Sequence, residues 1–156
     1  ESRCYPIVCT PREVKTRPNT DYIMRFSLPY VVAMAAAKQK VGPAEIDLKY
    51  AEDTKMQALM DKIQCVEDDS KRNPGFFPGY LTVTLNDGRT FTADQRYEMG
   101  TPQNPLSVEA VDKKCRANLE AFYTDAQIAQ ILQQISGFET LKDVNCLLAS
   151  LIAGGK

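Results

Sequence analysis

Arg25-Phe-Ser-Leu-Pro-Tyr-Val-Val-Ala-Met-Ala-Ala-Ala37 is the most apolar run of the chain and predicts one buried helix. Ser27 is the expected N-cap, because its hydroxyl can accept a hydrogen bond from a free N–H of the first helical turn. Pro29 then falls in that turn, where its missing N–H costs little. We expect the helix to run from Ser27 to about Lys40, because Gly42 follows and favours termination.

A β-hairpin is the second clear feature. Residues 80–85 and 90–97 alternate between apolar and polar side chains, which is typical of strands. Asn86-Asp87-Gly88 separates them, and glycine supplies the positive φ that tight hairpin turns require. The face expected to point inward carries Leu81, Val83 and Leu85.

The rest of the first two thirds is predicted less sharply. Residues 3–9 alternate weakly and are interpreted as a strand, with Pro6 placing it at an edge because proline cannot donate to a sheet. A polar loop is expected at 10–25 and another strand at 64–68. A short helix is expected at 44–51. A clearer helix, capped by Thr54, is expected after it.

Three helices are predicted after residue 106, capped by Ser107, Thr124 and Thr140. This order predicts an α+β fold, with a small antiparallel sheet of about four strands and helices packed on one face. The expected organisation is an α+β core at residues 1–106 and C-terminal helices at 107–156, packed as one compact unit.

Composition limits the class of function. The formal net charge is −1, which argues against a general nucleic-acid surface or a membrane-surface role. No apolar run approaches the roughly 20 residues that a membrane-spanning helix needs. Five cysteines without C-x-x-C spacing are interpreted as reduced, buried thiols of a cytoplasmic protein. The chain begins without methionine or a signal segment, so we expect a piece of a longer protein.

Histidine is absent, and histidine is the usual proton carrier near neutral pH. An acid–base enzyme that contained this chain would therefore take its main catalyst from elsewhere, or would use a tyrosine, lysine, aspartate or glutamate with an unusual pKa. A zinc site is also disfavoured, so no metal is expected.

Two motifs are more specific than generic structure. The first fits the pattern K-x-x-P-x-T followed by F-S-L-P-Y-x-V-A, and the second fits G-x-P-x-N-P-L-S-x-E-x-x-x-K. In this order and spacing they resemble the C-terminal part of the MmgE/PrpD family, which includes 2-methylcitrate dehydratase, cis-aconitate decarboxylase and iminodisuccinate epimerase. The resemblance covers about residues 10–120. The residues that match are Lys15, Pro18, Thr20, Phe26 to Tyr30, Ala33, Gly100, Pro102, Asn104 to Ser107, Glu109 and Lys113.

The resemblance implies a large helical N-terminal domain and a smaller α+β lid, with the active site between them. It implies that this chain is the lid of a hydro-lyase acting on a small di- or tricarboxylate, without a metal or organic cofactor. The histidines would belong to the helical domain, so the isolated chain is expected to be inactive. Exposed helical stripes without that domain would favour a homodimer. The alternative is a stand-alone α+β binding or regulatory module.

Five residues are candidates for the site. Tyr30 is the candidate catalytic residue, either a phenol that faces substrate or a core aromatic with a satisfied hydroxyl. Lys15, Arg17 and Arg25 are candidates for binding carboxylates, with which the guanidinium of an arginine can pair bidentately. The alternative is a solvated basic loop. Ser27 is a candidate substrate contact that doubles as the helix cap.

Overall fold

The computed structural model describes residues 4–71 and 73–152. Within these ranges lie nine α-helices, three short 3-10 helices and one two-stranded antiparallel sheet, which confirms the α+β class. The chain divides into two compact units, Glu1–Pro105 and Leu106–Lys156. The first unit contains α1 (Tyr5–Val8), α2 (Arg12–Thr16), α3 (Asp21–Arg25), α4 (Leu28–Lys38), α5 (Leu48–Ala51), α6 (Thr54–Lys62), β1 (Gly79–Thr84) and β2 (Thr90–Gln95). The second contains α7 (Val108–Leu119), α8 (Asp125–Ser136) and α9 (Asn145–Ile152).

Helix α4 forms as its sequence predicts, but the prediction that it is a buried helix is wrong for its C-terminal half, because Ala35, Ala36 and Ala37 are exposed. Ser27 caps it by accepting a hydrogen bond from the Tyr30 N–H, at 3.0 Å between Oγ and N. Pro29 occupies the first turn, where no intrahelical donor is needed. The helix ends slightly earlier than predicted, because Gln39 adopts a left-handed conformation with φ of 55°.

The core of the first unit is built on α4 and α6, which pack against each other. Ala33 has no exposed surface and lets α6 approach closely. Four of the seven residues in the buried cluster are methionines, which adapt their shape to irregular space. The cluster contains Met24, Tyr30, Ala33, Met34, Ala51, Met56 and Met60.

The predicted N-terminal strand is wrong. Residues 5–8 form helix α1, in which the Cys9 N–H donates to the Tyr5 carbonyl at 2.9 Å; residue 3 lies outside the described residues. Pro6 does not mark a sheet edge but occupies the first turn of this helix. A weak alternation over so few residues does not distinguish a strand from one helical turn.

Further boundaries are corrected. The predicted loop at 10–25 contains α2 and α3, and residues 64–68 form no strand. Asp53, not Thr54, caps α6 by accepting from the Met56 N–H at 2.9 Å. Thr140 ends a 3-10 turn, and α9 begins later, after Asp143.

The hairpin is confirmed, with Val83 opposite Phe91 and Gly88 at φ of 87° in the turn. The sheet has two strands in the described part of the chain, not about four. The expectation that one face points into a core is wrong, because the strands are exposed along their length. The exposed fractions are 42% for Leu81, 42% for Val83 and 38% for Leu85. No described helix is long and apolar enough to cross a bilayer.

The second unit shows two of the three predicted caps. Ser107 accepts from the Ala110 N–H, and Thr124 caps α8 with Gln127 in a capping box. Ile128 and Ile131 of α8 are buried, and the Tyr123 hydroxyl donates to the Leu151 carbonyl at 2.6 Å. Other stripe residues remain substantially exposed, among them Ile135, Val144 and Leu148. Self-association through this apolar surface stays a prediction.

The cysteines are free thiols, but the prediction that they are buried is confirmed for Cys9 alone. Cys4, Cys65 and Cys115 are partly exposed, and Cys146 is exposed. Cys146 lies in α9, and the rest of the described chain does not cover its side chain.

Replacing Ser27 with alanine is expected to lower the free energy of unfolding by about 1–3 kcal/mol, because it removes a helix cap and a buried side-chain hydrogen bond together. Thr20→Ala is the matched control: Thr20 caps α3 in the same way, with 3.1 Å between its Oγ1 and the Ile23 N, but it is exposed. We expect a loss of about 1 kcal/mol or less there. Urea unfolding of both variants measures the difference, and equal losses would contradict the special role of Ser27.

Candidate functional site

Ser27 connects two other residues that the sequence predicts for the site. Its hydroxyl donates a hydrogen bond to the Lys15 carbonyl, at 2.5 Å, while accepting one from the Tyr30 N–H. The side chain is 1% exposed. Because one hydroxyl fills both roles, it fixes the end of α2 against the start of α4. Ser27 is therefore a structural link, and direct contact with a substrate stays a prediction.

Tyr30 is completely buried, and its hydroxyl donates to the Glu45 carbonyl at 2.6 Å. Burial raises the pKa of the phenol, and a backbone hydrogen bond at Asp47 acts in the opposite direction. The hydroxyl thus joins α4 to the 3-10 turn Pro43–Glu45. This arrangement is that of a core aromatic with a satisfied hydroxyl. A catalytic role stays a prediction, and it requires that turn to move aside.

Lys15 combines burial with an unpaired charge. The residue is 8% exposed, and its ammonium has no hydrogen bond or ion pair with any residue that the structure describes. In the described ranges, Gln134 Oε1 is the one fully buried side-chain polar atom without a partner. The Lys15 nitrogen also has no partner, so it is not fully buried and keeps some surface exposed to solvent. A buried stem with an accessible, uncompensated ammonium is suited to receive an anionic group.

Arg17 is already paired. Its guanidinium makes two parallel hydrogen bonds to the Asp61 carboxylate, at 2.9 and 2.8 Å, and a third to the Thr16 carbonyl. These bonds hold the pKa of Asp61 below its usual range. To bind a substrate carboxylate, Arg17 would have to release Asp61. Arg25 is exposed and makes no ion pair with the described residues.

Arg12 is a structural residue that the sequence does not reveal. Its Nη1 donates to the Ile63 carbonyl at 2.9 Å and its Nη2 donates to the Asp61 carbonyl at 3.0 Å. It thereby holds the last turn of α6 against α2. Nothing in the sequence signals this contact, because main-chain carbonyls as partners leave no residue pattern.

The second motif forms a compact turn. Gly100 has φ of 94°, which favours glycine, and its N–H donates to the Asn104 carbonyl at 2.8 Å. The Asn104 side chain in turn donates to the Tyr97 carbonyl at 3.0 Å. These bonds make this part of the motif a hydrogen-bonded turn, which gives it a structural role.

The structure therefore links Lys15, Ser27 and Tyr30 through hydrogen bonds of the Ser27 hydroxyl, pairs Arg17 with Asp61, and gives Arg25 no bond to the other candidates. No group of three or more histidine, cysteine, aspartate or glutamate residues in the described ranges could hold a metal ion.

Comparison with protein families identifies the chain. The model of the MmgE/PrpD C-terminal domain matches residues 2–137, which is most of the sequence. The chain belongs to the MmgE/PrpD C-terminal domain family. A search of curated proteins finds no match to it.

Replacing Tyr30 with phenylalanine separates the two interpretations of this residue. The structure leads us to expect a loss of about 1 kcal/mol or more in the free energy of unfolding, because the Glu45 carbonyl loses its donor. Tyr22→Phe is the control, since Tyr22 is 69% exposed and should tolerate the change. The alternative outcome is an unchanged melting temperature with a fall in kcat of about 10²–10⁴-fold, as expected for an acid or positioned donor. That result would show that the hydroxyl acts on substrate.

Proposed function

We propose that this chain is the lid domain of an MmgE/PrpD-type lyase that acts on a small di- or tricarboxylate, most simply as a 2-methylcitrate dehydratase-like hydro-lyase. The observation that carries the proposal is the family match over residues 2–137. The chain contains no histidine, so the proposal assigns the acid–base groups to a helical N-terminal domain of the full-length protein.

Lys15 is the proposed anchor for a substrate carboxylate. In such a dehydration, a proton is lost from a carbon that bears a carboxylate and the hydroxyl leaves from the neighbouring carbon, so negative charge develops towards the carboxylate. An ammonium that no protein carboxylate neutralises can stabilise that charge, and it acts most strongly where surrounding protein excludes water. Lys15 fits this requirement because its stem is buried and its ammonium is unpaired.

The main chain of Lys15 is fixed in advance. The Ser27 hydroxyl holds the Lys15 carbonyl, and the Lys15 N–H donates to the Pro11 carbonyl at 3.2 Å. Fixing the backbone reduces the entropy lost when the side chain orders on a ligand. Ser27 would thus contribute to binding through Lys15, without touching the substrate.

A non-catalytic binding module is the second candidate. The burial of Tyr30 and the pairing of Arg17 with Asp61 favour it, since the phenol is covered and the guanidinium is already engaged by a carboxylate in this structure. The gene that encodes this chain can distinguish the two candidate functions. A coding region upstream for about 250 or more residues of helical, histidine-containing sequence favours the enzyme, because domains of such sizes are usual.

Turnover of the full-length protein tests the proposal directly. We expect dehydration of 2-methylcitrate, with cis-aconitate and iminodisuccinate as comparison substrates for decarboxylation and epimerisation. The isolated chain should be inactive at the same molar concentration. Turnover by the isolated chain, in proportion to its concentration, would contradict the assignment of the acid–base groups to another domain. A full-length protein inactive on all three compounds would leave the binding module as the better account.

Replacing Lys15 with methionine in the full-length enzyme should lower kcat/KM by about 10–100-fold, which corresponds to the loss of one hydrogen bond to a charged group. The melting temperature should not fall, because the change removes a charge that has no partner and keeps the buried stem. Lys55→Met is the matched control, since Lys55 is exposed in the same unit. Wild-type kinetics in Lys15→Met, or an equal effect in the control, would remove Lys15 from the site.

A further inference from the structure

A cavity of about 450 Å³ lies in the first unit, where α4, α5 and α6 meet. Small-ligand sites commonly have volumes of about 300–1,000 Å³, so this space is large enough for a small organic molecule. It is not lined by any candidate for the lyase site, that is, by Lys15, Arg17, Arg25, Ser27 or Tyr30. The proposed function therefore does not account for this cavity.

Apolar side chains form part of the cavity wall. Met56 of α6 is 6% exposed and belongs to the buried cluster, and Leu59, three residues further along the helix, packs against that cluster. Ala37 of α4 adds an exposed methyl group. The wall thus extends from solvent to the edge of the core. An apolar chain that lies along it exchanges contacts with water for contacts with protein, which favours binding.

The ring of Tyr50 gathers two positive charges at the same cavity. Lys38 Nζ lies 5.2 Å from the ring centroid, and Lys49 Nζ lies 4.9 Å from it. An ammonium within about 6 Å of an aromatic centroid is attracted to the ring. Tyr50 itself packs against the buried cluster, so its ring holds two flexible lysine side chains beside the apolar wall.

The charges at the cavity leave a positive excess. Lys49 forms an ion pair with Asp47, at 2.7 Å. Lys38 makes no ion pair with any residue that the structure describes. Asp53 and Lys55 add one charge of each sign to the wall. Three ammoniums thus meet two carboxylates, and the excess of one positive charge suits a ligand with a single negative charge better than a polyanion.

We propose that this cavity is a binding site for a monocarboxylate with a short aliphatic chain. The carboxylate lies between Lys38 and Lys49 beside the Tyr50 ring, and the chain lies along Met56 and Leu59. Neither part of the site is sufficient alone, because exposed ion pairs contribute little and the apolar wall is small. This inference goes beyond the proposed lyase function and does not depend on it.

Titration of the chain with octanoate, followed by calorimetry and by the NMR shifts of the backbone amides, tests the proposal. We expect a Kd of about 1 mM, with the largest shifts at Lys38, Lys49 and Tyr50. Hexanoate should bind about three- to tenfold more weakly, because two methylene groups fewer are taken out of water. Octanamide, which has the same chain length without the charge, should bind about fivefold more weakly, and succinate should bind no better than octanamide.

Lys38→Met removes the unpaired charge and keeps the stem of the side chain, so it should raise the Kd for octanoate about fivefold. Lys62→Met is the matched control, since Lys62 is exposed in the same unit but does not line the cavity. The ligand series decides the matter even if Lys38→Met fails to fold.

Four results would each overturn the proposal. They are equal affinities for octanoate and octanamide, equal affinities for hexanoate and octanoate, an equal loss of affinity in Lys62→Met, and no saturable binding of octanoate up to about 10 mM, a concentration well above the expected Kd.

Discussion

The first unit depends on a single hydroxyl group. Ser27 Oγ accepts from the first turn of α4 and donates to the end of α2, so one buried atom satisfies two main-chain groups. A buried main-chain group without a partner costs about 1–3 kcal/mol, and neither water nor another side chain can easily replace a group enclosed this closely. The position of Lys15, the burial of Tyr30 and the start of α4 all follow from this arrangement. The FSLPY segment of the family motif thus has a structural role, because its serine supplies a hydrogen-bond partner to two main-chain groups.

Local signals account for what the sequence predicts well. Ser27 with Pro29, Thr124 with Gln127, and Asn86-Asp87-Gly88 each act within a few residues, so the sequence alone specifies their conformation. The predictions that are wrong required distant information. The weak alternation at residues 3–9 predicts a strand, but it also suits a single helical turn. Alternation predicts which side chains of the hairpin share a face, but burial of that face needs a second layer, which alternation does not reveal.

The candidate site shows the same difference between features with local signals and features that depend on distant residues. The predicted cap at Ser27 is confirmed, because caps have local signatures, whereas the functional roles of Ser27 and Tyr30 stay predictions. It does not reveal that Arg17 is neutralised by Asp61 or that Arg12 holds the carbonyls at the end of α6. Those partners lie far along the chain, and a count of basic residues treats all of them alike. The unpaired ammonium of Lys15 becomes distinctive only once the pairing of its neighbours is known.

The methionine content of the core has a consequence for how this unit can deform. Met24, Met34, Met56 and Met60 belong to one buried cluster, and each has an unbranched side chain with three rotatable bonds. Branched side chains in these places would favour one packing, whereas thioethers keep their volume while changing their outline. A displacement of the Pro43–Glu45 turn, which would uncover the Tyr30 hydroxyl, could be absorbed by rotation about these bonds without opening a void. The core can thus change its packing at nearly constant volume, and it includes Tyr30 and Ala33 of the family motif.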